Sequence, residues 1–386
     1  MKPATAEHIP FLDYFRGVAI LSVFLLHSLF ATFGTDRLAW NGWFFNWHVG
    51  KSLLLLLPAT FGWVGVPIFF TISGFCIHLS HQRSRQTGFT PFFLRRFFRI
   101  YPPYLATYFF FAFLFPPTRL SFSMGSLSSN VEELLSHIFL VHNFTDHFFF
   151  GKVVGALWSI AIEVQLYLLY PLLLIAASRW GWQKALLLTA VLEVGMRGSE
   201  SLVTFLQPDH RTTHLLTGSP FYFWFSWALG AALADAWLKG KPLPFRNPCN
   251  FIWPVLLIVA YFFRPFYPFL FTLAALTSVW MMALLLERRT YDFITIGWKK
   301  YALDHLRWAG IVSYSAYLIH QPFLNATASG CSIIHGHKLP SLLLYGVCLL
   351  AWFPIFGLSY LCYRYLELPG IAWGKRIIAQ RKATAL

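Results

Sequence analysis

Three ionisable residues, Asp13, Arg16 and His27, fall inside the first apolar run of the chain. In lipid each is costly unless it faces protein or water, so each is a candidate for function. Asp13 and Arg16 stand three apart and can pair on one helical face. The eleven steps from Arg16 to His27 make three turns plus about 20° and a rise of roughly 16 Å, so all three share a stripe. A second stripe follows Leu157-Trp158 as Ser159, Glu163, Tyr167 and Tyr170, again at helical spacing. If the first span exits near Phe33 and the second stripe's span enters near Ala156, His27 and Glu163 lie about 9 and about 10 Å from the same boundary and can share one depth. A carboxylate there orients an imidazole base and stabilises its protonated form. The plainer reading of His27 is a helix–helix hydrogen bond, and that of Glu163 a structural pair with a basic group elsewhere; the sequence alone leaves both open. Arg96 and Arg99 open a third apolar run at the end level with Arg16. Clustered guanidinium forks suit a phosphorylated ligand, whereas neighbouring Arg95 reads as an anchor to lipid headgroups.

These residues need long apolar elements to position them, and the composition supplies them. Of 386 residues, 57% are hydrophobic and 12% charged, against about 45–50% and about 25% in soluble domains. A soluble globular fold is excluded. Apolar windows run near Leu12–Phe33, Gly62–Ser80, Phe98–Phe115, Ala156–Ala177, Trp182–Met196, Phe221–Leu238, Phe251–Phe263, Pro268–Leu286, Trp308–Leu324 and Ser341–Tyr363. The expected fold class is therefore an all-α polytopic membrane protein of about ten transmembrane helices, both termini cytoplasmic. Residues 1–370 form a single transmembrane domain in this reading, and 371–386 a short basic cytoplasmic tail. The stretch Leu134–Phe150 is apolar too, but His137, His142, Asn143, Asp146 and His147 interrupt it, and it is not counted as a span.

The formal charge of +15 fits membrane orientation better than nucleic-acid binding, because the basic residues sit in short stretches between apolar runs. With ten spans, Arg83, Arg95, Arg96, Arg99, Arg179, Lys184, Lys239, Lys241 and Arg246 fall on the cytoplasmic side. Arg119, Lys152, Arg197 and Arg264 are among the fewer placed outside, which is the usual bias. Five scattered cysteines without C-x-x-C spacing argue against a disulfide framework or a zinc site. Neither a nucleophile elbow nor a zinc-protease motif is present. No metal is expected.

In order along nearly the whole chain, several short motifs together resemble the integral-membrane acyltransferase family 3, which includes O-acetylases of bacterial surface polysaccharides. They begin with Leu12-Asp13-Tyr14-Phe15-Arg16-Gly17 and the arginine-x10-histidine spacing of Arg16 and His27. Phe69-Phe70-Thr71-Ile72-Ser73-Gly74-Phe75 and the Arg96/Arg99 pair before Ile100-Tyr101-Pro102 follow. Leu157-Trp158-Ser159 with Glu163, Gln165, Tyr167 and Pro171 comes next, then Ser313-Tyr314-Ser315-Ala316-Tyr317-Leu318 with His320, and Tyr363-Arg364-Tyr365-Leu366-Glu367. Two departures stand out: Cys76 replaces an aliphatic residue, and Val164 replaces a second carboxylate beside Glu163. The chain resembles stand-alone members without an appended extracytoplasmic domain.

The resemblance implies transfer of an acyl group, acetyl foremost, from cytoplasmic acetyl-CoA or another acyl-CoA to a hydroxyl of a carbohydrate or glycolipid acceptor. Its setting would be the bacterial cytoplasmic (inner) membrane, with polysaccharide-assembly proteins as partners and no nucleic acid. On this reading Arg16, Arg96 and Arg99 hold CoA phosphates, while His27 is the base or a transient acyl carrier and Glu163 its orienting partner. Asp13, Ser73, Trp158, Ser159, Tyr167, Tyr314 and His320 are substrate-pocket candidates. Small and hydroxyl residues also mediate span packing, so that reading stays open for Ser73 and Tyr314. The competing class is a transporter or flippase of a lipid-linked glycan, its pathway lined by the same buried ions. A non-catalytic assembly scaffold is the third.

Overall fold

The computed structural model describes residues 9–34, 56–84, 88–207, 213–288, 298–334 and 341–383, and among them the regular elements are helical. In chain order they are α1 (Pro10–Phe33), α2 (Gly65–Gln82), α3 (Phe89–Phe109), α4 (Pro116–Ser123), α5 (Leu127–Ile138), α6 (Trp158–Leu206) and α7 (Trp224–Leu238). Then come α8 (Ile252–Tyr261), α9 (Leu270–Arg288), α10 (Trp298–Ile311), α11 (Ser313–Ile334), α12 (Ser341–Leu350), α13 (Trp352–Cys362) and α14 (Leu368–Ala383), with single turns between them. Five described stretches are long and apolar enough to cross a membrane: Pro10–Phe33, Leu57–Gln82, Gly155–Leu206, Pro265–Glu287 and Ser341–Arg381. The chain is an integral membrane protein, all-helical among the described residues. The stretch Leu134–Phe150 forms the end of α5 and short turns rather than one long helix.

Two compact units partition the chain. The first holds Met1–Arg83 and Ile162–Ile311, the second Ser84–Ala161 and Val312–Leu386. Helix α6 carries the chain from the second unit into the first, and it breaks once, at Gly181 (φ 81, ψ 161). That backbone conformation suits glycine, which lacks the Cβ that would clash there. The two limbs, 158–180 and 182–206, correspond to the two apolar windows read in this region.

In the first unit, close backbone approach sets the helix register. A Cβ at Gly62 would meet Ser22 and Leu26, and one at Gly65 would meet Ala19 and Val23, so α1 and the segment leading into α2 run antiparallel. Gly74 lies against the Trp227 carbonyl and Gly230 against that of Thr71, which locks α2 to α7. Small residues at such crossings replace the hydrophobic drive that is absent between helices in lipid.

Arg197, assigned to an outer loop from the sequence, is 2% exposed and lies within the second limb of α6. Glu193, one turn earlier, faces it at 3.2 Å, and the carbonyls of Pro268 and Tyr222 accept from its guanidinium. Glu193 is itself saturated by Ser226 and Thr272 (2.6 Å each from the hydroxyls). A paired and fully hydrogen-bonded arginine needs no loop.

In the second unit, α14 packs along α3, with Trp373 tilted against Phe98 at 5.0 Å. The residues read as a tail thus continue α14 to Ala383, and 384–386 lie outside the described residues.

Candidate functional site

Helix α1 is unbroken over its 24 residues, so the stripe it was expected to carry exists. Arg16 Nη1 lies 3.2 Å from Asp13 Oδ1, and Arg307 Nε on α10 lies 3.8 Å from Asp13 Oδ2. Arg16 Nη2 also donates to Cys76 Sγ at 3.1 Å. The cysteine that departs from the motif is therefore an acceptor for the arginine.

Glu163 Oε1 is the focus of a hydroxyl cluster. It accepts from Ser73 Oγ at 2.6 Å and from Tyr167 OH at 2.5 Å, and Trp227 Nε1 donates to Ser73 Oγ at 3.3 Å. Ser73 and Tyr167, both candidates from the sequence, are thus brought onto the carboxylate. Trp227 was not among them, because its place is fixed by the α2–α7 glycine contacts, which join residues far apart in sequence.

His27 is half-buried, with its ring edge-on to Phe30 at 5.6 Å. The antiparallel register places Gly65 level with Ala19–Val23, so Ser73, eight residues on, is level with the Asp13–Arg16 end of α1. Ser73 and its hydrogen-bonded Glu163 therefore lie roughly 16–21 Å along the axis from His27. The expected common depth is not met.

Within the second unit, Arg99 Nε lies 3.7 Å from Glu367 Oε1, and Ser315 Oγ donates to Glu367 Oε2 at 3.2 Å. Glu367 is 2% exposed, so Arg99 is fixed by a buried carboxylate. The Arg96 guanidinium stands 6.0 Å over the Phe92 ring. Tyr314 OH donates to the Ile100 carbonyl at 2.7 Å, bracing the turn after Arg99. Trp158 stacks on Phe149 at 5.2 Å, and Ser159 Oγ meets Tyr317 OH at 2.7 Å. His320 is fully buried, its Nδ1 facing the Tyr317 and Ala316 carbonyls at 2.9 and 3.2 Å.

A polar column in the first unit went unnoticed in the sequence. His78 Nε2 lies 3.2 Å from Asp235 Oδ1, Lys239 Nζ is 2.7 Å from the same oxygen, and Tyr170 OH meets His78 Nδ1 at 3.0 Å. Both His78 and Asp235 interrupt apolar runs, which was the available signal.

The interrupted stretch of the second unit holds another cluster. Glu133, His137 and His142 have no exposure. The His137 and His142 rings stack at 3.9 Å and 5°, and Tyr108 covers His137 at 4.5 Å. Lys152 N donates to Glu133 Oε1 at 2.6 Å. Among the described residues no group of three or more His, Cys, Asp or Glu side chains is placed to hold a metal ion.

Burial lowers the His137 imidazole to about 4 and holds His142 well below the ordinary range, while it raises the Glu133 carboxyl against the pull of Lys152. The unfolded imidazoles, near 6.5, bind protons that the folded ones refuse, so stability is lost as pH falls from about 6.5 toward about 4. The raised carboxyl works in the opposite sense, but two imidazoles outnumber it. His137→Phe should flatten the loss, read as thermal unfolding midpoints over a pH series; an unchanged slope would remove this cluster as its source.

The acyltransferase domain model of family 3 matches residues 9–364. The chain is 23% identical over 385 residues to "Peptidoglycan O-acetyltransferase OatA" of Listeria monocytogenes, covering 94% of this chain and 56% of that protein. It is 24% identical over 341 residues to "Putative peptidoglycan O-acetyltransferase YrhL" of Bacillus subtilis, covering 82% and 49%. The chain therefore spans about half the length of the curated relatives it matches. No solved structure matches it significantly. With a match that runs over residues 9–364, the chain belongs to acyltransferase family 3.

Proposed function

We propose that the protein moves an acetyl group from a cytoplasmic acyl-CoA to a hydroxyl of a cell-envelope carbohydrate, with peptidoglycan the first acceptor to test, given the names of its relatives. The reaction is balanced without a further co-reactant. The acceptor oxygen gives up its proton and attacks the thioester carbonyl, the C–S bond breaks, and CoA leaves as the thiol. His27 serves as the base for that proton or as a transient acyl carrier. Glu163 holds the hydroxyls of Ser73 and Tyr167 in a fixed array that binds the reacting groups, instead of touching His27. Arg16, Arg96 and Arg99 supply cationic forks for CoA phosphates. Both chain termini lie on the cytoplasmic side in this reading, in a bacterial inner membrane.

The observation that carries the reading is Glu163 with two hydroxyl donors on one oxygen inside an apolar helix bundle. An acid placed so within an apolar span is a functional group by default. Purified protein in lipid nanodiscs should release CoA thiol from acetyl-CoA only when a peptidoglycan glycan fragment is present, and the fragment should gain the acetyl mass. Movement of a lipid-linked glycan across vesicles without thiol release would replace the enzyme with a transporter.

A further inference from the structure

The limbs of α6 part at Gly181 beside an open cleft of about 600 Å³, a size usual for small-molecule sites. Its walls come wholly from the first unit. Lys184, Lys239 and Lys241 line it against a single carboxylate, Asp235. That carboxylate is already engaged by Lys239 and by His78, which is fully buried. The cleft is therefore net cationic, and Lys184 and Lys241 are not needed to neutralise it. The 182–206 limb begins here, and the opening amides of a long helix add positive potential where Lys184 sits. Trp180, 56% exposed, offers a flat aromatic face, and Trp182 meets the His78 ring edge-on at 5.2 Å. The charge bias assigns Lys184, Lys239 and Lys241 to the cytoplasmic side.

Cations, helix amides and an open indole face together fit a ligand that carries both phosphate and a heteroaromatic base. We propose that this cleft binds the adenosine end of the acyl-CoA donor, with its 3′-phosphate on Lys184, Lys241 and the helix start and the base against Trp180, leaving the pyrophosphate to the arginine forks. The inference rests on the reading that the donor is an acyl-CoA. A phosphate borne by an anionic lipid headgroup shares part of this chemistry, and the test separates the two.

The probe is 3′,5′-ADP, titrated by calorimetry into the full chain in nanodiscs of phosphatidylcholine alone. Saturable binding is expected. The double variant Lys184→Glu/Lys241→Glu should weaken it at least tenfold and raise KM for acetyl-CoA by a similar factor, with kcat nearly unchanged. Trp180→Ala should weaken binding by a smaller factor. Lys239 is left intact because it pairs with Asp235. If the wild type turns over acetyl-CoA yet 3′,5′-ADP binds the double variant equally well, the cleft assignment fails and the proposed function survives. If the double variant instead loses only co-purifying phosphatidylglycerol, the cleft is a headgroup site and the proposal is overturned. If acetyl-CoA is neither bound nor consumed with any acceptor, the functional reading falls and takes this inference with it.

Discussion

Glu163→Gln should lower acceptor-dependent acetyl transfer at least tenfold while the protein stays folded, because charge-assisted hydrogen bonds hold the Ser73 and Tyr167 hydroxyls about twice as strongly as neutral ones. The substitution is chosen for what it keeps. Both hydroxyls, Ser73 Oγ and Tyr167 OH, donate to the same oxygen, Oε1, and glutamine retains a carbonyl oxygen able to accept from both. What disappears is the negative charge. Because that acceptor is kept, thermal stability should stay close to wild type. Activity and stability would then move apart, which a merely structural acceptor would not produce. His27→Ala should abolish transfer as well, and its half-buried ring leaves little cavity behind. The measurements are thiol release from acetyl-CoA with acceptor present, and unfolding midpoints of the same samples. A Glu163→Gln enzyme within threefold of wild type would reduce the carboxylate to a packing element.

Why the carboxylate was legible in the sequence and its neighbours only in part follows from how each contact is made. The α1 stripe depends on 3.6-residue periodicity within one helix, so Asp13 and Arg16 meet as their spacing requires. Glu163 and Tyr167 are one turn apart and meet for the same reason. The contact of Ser73 with Glu163 spans 90 residues and that of Trp227 with Ser73 spans 154. Only the glycine register between helices sets such pairs, and no local pattern reports it. The relative depth of His27 and Glu163 failed for a related reason: apolar windows locate a helix along the chain, but not where its first turn lies in the bundle. Similarly, His78 and Asp235 each break an apolar run visibly, yet nothing in either run pairs them. Glu367 belongs to a motif that was readable as a string, but its hold on Arg99 is a tertiary fact. The span count shows the limit of hydropathy as well. The window Phe98–Phe115 is mostly helical, but its helix begins at Phe89 and includes Arg95, Arg96 and Arg99, and it is not among the five stretches that qualify on length and apolarity.

The same register yields the largest expected structural effect, at a residue with no chemistry of its own. Gly230→Val should leave little folded protein. A Cβ at this position would fall well inside van der Waals contact with the Thr71 carbonyl and 2.9 Å from Phe75 N, both backbone atoms of α2 that cannot swing aside as a side chain could. Facing it, Gly74 presses on the Trp227 carbonyl in the same way, so the two helices have no slack on either side. Overpacking a well-fitted interior costs about 1–3 kcal/mol or more, and in lipid no hydrophobic drive between the helices offsets it. Parting α2 from α7 would also carry Trp227 Nε1 away from Ser73 Oγ, now 3.3 Å apart, and loosen the donor set around Glu163. Gly230→Ala should therefore survive purification with lowered stability and a reduced transfer rate. The control is Gly195→Ala on α6, where an added Cβ meets nothing within 4 Å and alanine improves helix propensity by about 1 kcal/mol. Opposite signs are expected for the two alanine variants in detergent unfolding midpoints. Equal midpoints for Gly230→Val and wild type would mean that α2 and α7 are not held backbone to backbone, and that the hydroxyl cluster on Glu163 is assembled by something other than their crossing.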